Sequence, residues 1–376
     1  MKVLLLSAYD ADSHKRWREG LVKAFPEWQW TLLTLPPRYF SWRIRGNSLS
    51  WGRGKPAQVL KQGWDLIVAT SMTDLSALRG LVPEIVGVPT VVYFHENQFA
   101  YPVSSDAFRS IEPQLLNIYT ALACDLVLFN SEYNRRTLLE GTEKLLKRFP
   151  DCVPQGVCEE IKEKSRVLPV PIEDIVFDSR ANDEVFSWSC RAENAYLGEA
   201  GEDTLIISWA ARWEYDKGAD RLLEILRGLK ASNVKFVVNL MGQSFRNSPT
   251  EFTQIQEEFA GHLLIFGYLE SAKDYRQVLR HSHIFLSTAY HEFQGLAVME
   301  AAILGATPLV PDEQCYPEFY PKPFLYSSCS DAILKLESMY LSLSSGSKLK
   351  KVDFSKFSGK VMWAEYRDQF VSLVNK

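Results

Sequence analysis

Short apolar runs alternate with stretches of helical periodicity along almost the whole chain. In the first half the runs are VLLLSA (3–8), WTLLTL (30–35), DLIVAT (65–70), TVVYFH (90–95) and DLVLFN (125–130), with helical patterns at 14–25, 111–123 and 132–146. In the second half TLIISWA (204–210), VKFVVNLM (234–241), LLIFG (263–267), HIFLST (283–288) and TPLV (307–310) are again separated by helical patterns. Strands apolar on both faces belong to parallel sheets covered by helices on each side. The pattern therefore predicts an α/β chain of two doubly wound, Rossmann-like domains. Ligands in such folds bind beyond the carboxyl ends of the strands, so the cleft between the domains is the expected active site.

Length and charge sharpen this division. A chain of 376 residues is too long for one ordinary core. Residues 1–170 carry 21 basic and 18 acidic side chains, 171–203 carry two and nine, and 204–376 carry 19 of each. The acidic stretch follows Pro169–Val170–Pro171 and has no clean period, although Phe177, Phe186 and Trp188 suggest that parts of it pack. The expected organisation is an N-terminal domain 1–170, an acidic connection 171–203 and a C-terminal domain 204–376. A net charge of −4 excludes a uniformly basic coat for nucleic acid. Neither a secretion signal nor a membrane span is expected, because no apolar run is long enough. The six cysteines form no C-x-x-C pair, which fits a reduced, cytoplasmic compartment.

Polar residues collect where the strands end. After the strand 204–210, Arg212 and Lys217 stand five residues apart in a strand-to-helix turn, able to reach an anion from two directions. After 283–288, Glu292 lies in the loop and Glu300 on the following helix. The helix start near Gly295 and Leu296 offers free N–H groups and a positive dipole end, which suits a phosphate. Two carboxylates bracketing a phosphate site, each able to accept from hydroxyls, match the layout of a sugar nucleotide. Two glutamates near a helix are by themselves usually just a solvated face; the cations at the matching turn are what raise them to a candidate site. Asp10–Ala11–Asp12 has D-x-D spacing but sits in the first strand-to-helix turn, so no metal is expected there.

The Glu-x7-Glu pattern with upstream Arg212 and Lys217 resembles the donor site of the retaining GT-B glycosyltransferases of family 4. SHKRW (13–17), YFHENQFAYPV (93–103), FNSEYNR (129–135), ARWEYDK (211–217), FGYLESAKDYRQVL (266–279), STAYHEFQGLAVMEA (287–301) and VPDEQCYPEFYP (310–321) resemble a narrower group, the tRNA-queuosine α-mannosyltransferases. The resemblance runs from residue 1 to about 370. It implies a GT-B fold, with a C-terminal helix at about 355–375 able to cross back to the N-terminal domain. It also implies transfer of mannose from GDP-mannose to the cyclopentenediol of queuosine in tRNA, tRNA-Asp being the expected acceptor. By that resemblance Arg212 and Lys217 neutralise the donor diphosphate and N–H groups at Gly295 and Leu296 hold its β-phosphate. Glu300 then binds ribose hydroxyls, Glu292 hydroxyls of the transferred sugar, and His95 contacts the sugar from the N-terminal domain. No cofactor or metal is implied.

The acceptor is the subject of one further stretch. PPRYFSWRIRGNSLSWGRGKP (36–56) holds Arg38, Arg43, Arg45, Arg53 and Lys55 with no acidic residue, interleaved with Tyr39, Phe40, Trp42 and Trp51. Cations alternating with stacking rings suit single-stranded RNA; composition alone favours an ordinary polar loop with partly buried aromatics, a preference the tRNA resemblance reverses. Expected acceptor contacts are Arg43, Arg45, Arg53 and Trp42, joined by Ser13 and His14, which otherwise serve only to start the first helix. Within the same class, a family 4 enzyme acting on a lipid-linked or small-molecule glycan remains an alternative. Outside it stands an inactive nucleotide-sugar- or RNA-binding protein. No membrane partner is expected, and the sequence leaves the oligomeric state open.

Overall fold

The computed structural model describes residues 1–101, 110–178 and 203–376. Most of the acidic stretch, with Phe186 and Trp188, and the end of the 93–103 motif lie outside the described residues. Two compact units account for the chain: Met1–Pro171 with Gly359–Lys376, and Ile172–Ser358.

The first unit holds a six-stranded sheet of β1 (Lys2–Ser7), β2 (Gln29–Thr34), β3 (Leu66–Thr70), β4 (Thr90–Phe94), β5 (Leu126–Phe129) and β6 (Ser165–Val167), in the order β2-β1-β3-β4-β5-β6. Every pairing is parallel. The strands predicted from apolar runs are all present. β6 is added: its SRV sequence has no apolar run, and it forms by pairing with Val127–Phe129 of β5. Side chains of β1, β3 and β4 are buried on both faces. One face is covered by Trp17 and Leu21 of the helix Asp12–Ala24, and by Met362, Tyr366 and Phe370 of the C-terminal helix Gly359–Val374. Trp17 Nε1 donates to Tyr366 Oη at 3.2 Å, fastening that helix to this unit across almost the whole sequence.

The second unit repeats the plan. β7 (Leu205–Ala210), β8 (Phe236–Met241), β9 (Leu263–Gly267), β10 (Ile284–Leu286), β11 (Thr307–Pro311) and β12 (Leu325–Tyr326) form a parallel sheet in the order β12-β11-β10-β7-β8-β9. β12, only two residues long, was not expected; its Tyr326 hydroxyl donates to the Ser287 carbonyl at 2.8 Å. Leu222, Leu226 and Leu229 of the helix Ala219–Ala231 pack with Leu205, Ile207 and Val238 in one apolar core. Burying such side chains contributes roughly 1.5–3 kcal/mol each, so the sheet is a rigid support for the loops at its carboxyl end.

One expectation is corrected. The stretch 36–56, read as a loop, contains the helix Phe40–Gly52. Its inner side, Ile44, Asn47, Ser48 and Trp51, is buried. Asn47 donates to the Met72 carbonyl at 3.1 Å and accepts from Asp74 N at 3.0 Å, so the segment packs on the turn after β3.

Candidate active site

In the second unit the loops after β7 and β10 meet. The chain leaves β7 through Ala211–Arg212–Trp213 and makes a short 3-10 turn, Tyr215–Lys217. It then passes Gly218 in the left-handed region (φ 67°) into the helix Ala219–Ala231. Tyr290 N and His291 N donate to the Asp216 carbonyl at 2.8 and 3.2 Å, and Thr288 Oγ1 donates to the Lys217 carbonyl at 2.8 Å. These bonds bring Lys217 to Glu292. Its ammonium lies 3.0 Å from the His291 carbonyl, 3.2 Å from Asp216 Oδ2 and 3.5 Å from Glu292 Oε2. Burial pushes the Glu292 carboxyl up, but Lys217, the Phe293 N–H, His291 and the Gly295 N–H together hold it below the usual glutamate range. Glu292 is therefore an anion, suited to accept from hydroxyls.

Gly295 (φ 76°) opens the helix Leu296–Leu304, and no side chain caps that end. Glycine suits that position: its φ is positive, and a Cβ would lie 3.0 Å from the Tyr316 ring. Tyr316 is fixed from below by a 2.7 Å bond to Ser287 Oγ. Lys217, Glu292, Gly295, Ala297, Val298 and Tyr316 line one recess over the ends of β7 and β10. A cation, a carboxylate and a helix N-terminus thus share one wall, the chemistry of a phosphate flanked by hydroxyls. Glu300 is buried one turn along that helix. Arg212 is half exposed and reaches Glu214 at 3.1 Å. Of the expected donor residues, Lys217, Glu292 and Gly295 line the recess, whereas Arg212, Leu296 and Glu300 are not among its lining residues. Sequence reading missed Asp216, whose adjacency to Lys217 was the available signal, and Ser287 and Tyr316, for which there was none.

In the first unit His95 follows β4. It is buried, its ring stacks on that of His14 with centroids 4.2 Å apart and planes 18° apart, and Trp17 meets it edge-on at 5.0 Å. His14 lies 2.9 Å from Glu96 Oε2. Burial, with His14 beside it, holds His95 well below the usual histidine range, so the ring is neutral. His14 itself is 2% exposed, which places it against His95 and away from a surface contact. Ser13 is exposed in the first turn, and the helix is capped at Ala11 with no side-chain hydrogen bond. Asp10 accepts from Arg18 Nε and a terminal nitrogen at 3.0 and 2.8 Å, which accounts for half of the D-x-D pair. No group of three or more metal-ligating side chains occurs among the described residues.

The helix Phe40–Gly52 divides the expected RNA-facing residues. Trp42 is 51% exposed and Arg53 lies at the exposed end, while Arg43 is partly buried with its Nε donating to the Pro36 carbonyl at 3.4 Å. Arg45 instead reaches Asp74 and Glu112, each at 3.1 Å. Trp51 is core.

A family model described as "tRNA-queuosine alpha-mannosyltransferase N-terminal" matches residues 2–172, and one described as "Glycosyl transferases group 1" matches residues 195–320. The chain is 30% identical over 377 residues to a tRNA-queuosine alpha-mannosyltransferase of Drosophila melanogaster, covering 98% of this chain and 96% of the relative. Among solved structures it is similar to a glycosyltransferase of Rickettsia africae (TM-score 0.65, 13% identity, 99% of this chain and 98% of that one). It is similar too to a sucrose-phosphate synthase of Thermosynechococcus elongatus (TM-score 0.64, 14% identity, 99% and 96%). At these identities the likeness to solved structures shows the fold.

Proposed function

Since this chain belongs to the tRNA-queuosine alpha-mannosyltransferase family, we propose that it moves mannose from GDP-mannose to the cyclopentenediol of queuosine in tRNA, tRNA-Asp being the acceptor. It is a glycosyltransferase with the GT-B fold. The observation that carries the donor half of the reading is the recess in the second unit, where Lys217 and Glu292 stand beside the helix start at Gly295. Loss of a nucleoside diphosphate leaves negative charge on its β-phosphate. Lys217 and the N–H groups at Gly295 and Leu296 are pre-set to stabilise that charge, with Arg212 reaching in from its exposed position. Glu292, held ionised, accepts from hydroxyls of the sugar, and Glu300 binds the ribose. The chemistry needs no strong base: the acceptor hydroxyl passes its proton to the departing phosphate on the same face, and the α configuration is retained. Charge neutralisation by cations and a helix end makes a bound metal unnecessary.

The acceptor half rests on the exposed parts of the helix Phe40–Gly52, where Trp42 offers a ring for a base and Arg43 and Arg53 offer charge for phosphates. A tRNA acceptor supports a cytoplasmic location; no described helix is long and apolar enough to cross a membrane. The test is a panel of labelled nucleotide sugars offered with and without bulk tRNA. The reading expects label in tRNA from GDP-mannose alone. Transfer from another donor, or into lipid extracts and not tRNA, overturns it.

A further inference from the structure

Three side chains of the first unit form a chain of contacts that neither the donor recess nor the RNA-facing helix uses. Glu96 Oε2 lies 2.9 Å from His14 Nε2. A carboxylate can only accept, so Nε2 carries the proton. His14 Nδ1 is buried and finds no hydrogen-bond partner among the described residues. His14 therefore directs a protonated Nε2 at Glu96. That ring lies nearly flat against His95, 4.2 Å away. His95 is wedged on its other sides by Trp17 and Tyr93, with centroids at 5.0 and 4.6 Å. Asn130 Nδ2 donates to the His95 carbonyl at 2.8 Å and fixes its backbone. His95 Nε2 is buried and has no partner among the described residues, so this nitrogen remains for a bound hydroxyl. His14 closes one face of the cage around His95, and Glu96 accepts from His14 Nε2.

We infer that Glu96 is a positioning residue: by accepting from His14 Nε2 it locks His14 against His95, and the stack fixes the His95 ring in the orientation that presents Nε2 to the substrate. The inference rests on the transferase reading for its kinetic consequence, but its structural half stands apart from the substrate's identity.

Two variants separate an acceptor's role from simple packing. Glu96→Ala removes the acceptor; Glu96→Gln keeps an amide oxygen able to take the same proton. The full-length enzyme is assayed for mannose transfer from GDP-mannose to queuosine-containing tRNA, GDP binding is titrated, and the imidazole ¹⁵N signals of His14 and His95 are recorded. Glu96→Ala should lower kcat about tenfold or more, the scale of one lost hydrogen bond to a charged group, with GDP affinity unchanged and His14 spread over both tautomers. Glu96→Gln should recover most of kcat and the single Nε2–H tautomer. Wild-type kcat in Glu96→Ala, equal losses in both variants, or an unaltered His14 tautomer in Glu96→Ala would each overturn the assignment. Should Glu96→Ala not fold, Glu96→Gln decides: it must retain the Nε2–H tautomer and most of kcat. Should wild type transfer no mannose, the transferase reading fails, and the ¹⁵N signals still decide whether Glu96 holds His14.

Discussion

Replacing Lys217 by Met keeps most of the side chain's length and removes its charge. The side chain is 15% exposed, and its ammonium lies among Asp216 Oδ2 at 3.2 Å, Glu292 Oε2 at 3.5 Å and the His291 carbonyl at 3.0 Å. A unit charge about 4 Å from a phosphate is worth roughly 4 kcal/mol at an effective dielectric constant near 20. Two carboxylates already offset much of that, so the net loss expected for GDP is about 1.5–3 kcal/mol, the range of a hydrogen bond to a charged group, or about ten- to 150-fold in affinity. The substitution also leaves Glu292 without its main counter-charge. Its carboxyl, held below the usual value of 4.5 in the native protein, should then follow its burial upward. A lowered carboxyl pKa adds stability that is present above the unfolded value and lost as pH falls through the folded one. The destabilisation by Lys217→Met should therefore be largest near neutral pH, begin to shrink as pH falls through the variant's raised carboxyl value, and disappear once pH is below the depressed native one. Calorimetric titration with GDP and urea unfolding at several pH values measure both halves. GDP affinity within twofold of wild type in a folded variant would refute the placement of the diphosphate, and a pH-independent stability difference would refute the Lys217–Glu292 coupling.

Gly218→Ala should reduce transfer severely and lower stability by several kcal/mol, because φ is positive and the new Cβ would collide with the Thr288 carbonyl; thermal unfolding with GDP titration reads both. Arg43→Ala with Arg53→Ala should weaken tRNA binding, flatten its dependence on salt and spare GDP binding; filter binding at several salt concentrations checks this. Arg45, paired with Asp74 and Glu112, should contribute less to that slope than either of the other two. Trp42→Ala should cost about 1–3 kcal/mol of tRNA affinity without changing the slope, if a base stacks on the ring. Dialysis against EDTA should leave the initial rate of transfer unchanged, measured with and without added magnesium.

How far the sequence could be read follows from what each element depends on. Strands buried on both faces announce themselves as apolar runs, which is why LIVAT and FVVNLM were placed within a residue or two. β6 and β12 depend on a neighbouring strand for their definition, and SRV or LY alone carries no such signal. The helix Phe40–Gly52 was hidden by its glycines and serines; it stands because Asn47 and Trp51 pack into the unit, a tertiary cause. In the donor recess the charged groups were legible as two loops at strand ends, since Lys217 and Glu292 occupy matching turns. What lies beneath them was not: Tyr316 closes on Gly295 from a segment following β11, and only the fold brings it there. His14 shows the same limit, because a polar residue in a first turn reads as surface until its helix is docked over β4.

Addition of one mannose to queuosine within tRNA is the activity proposed for this chain. Purified enzyme, GDP-mannose and total tRNA from cells that make queuosine, beside tRNA from cells that do not, followed by digestion and mass spectrometry of the nucleosides, test it most directly. Queuosine in tRNA-Asp should become a species heavier by one hexose, a product absent from queuosine-free tRNA and abolished by Lys217→Met. Queuosine left unmodified while GDP-mannose is consumed, or hexose added equally to both tRNA pools, would contradict it.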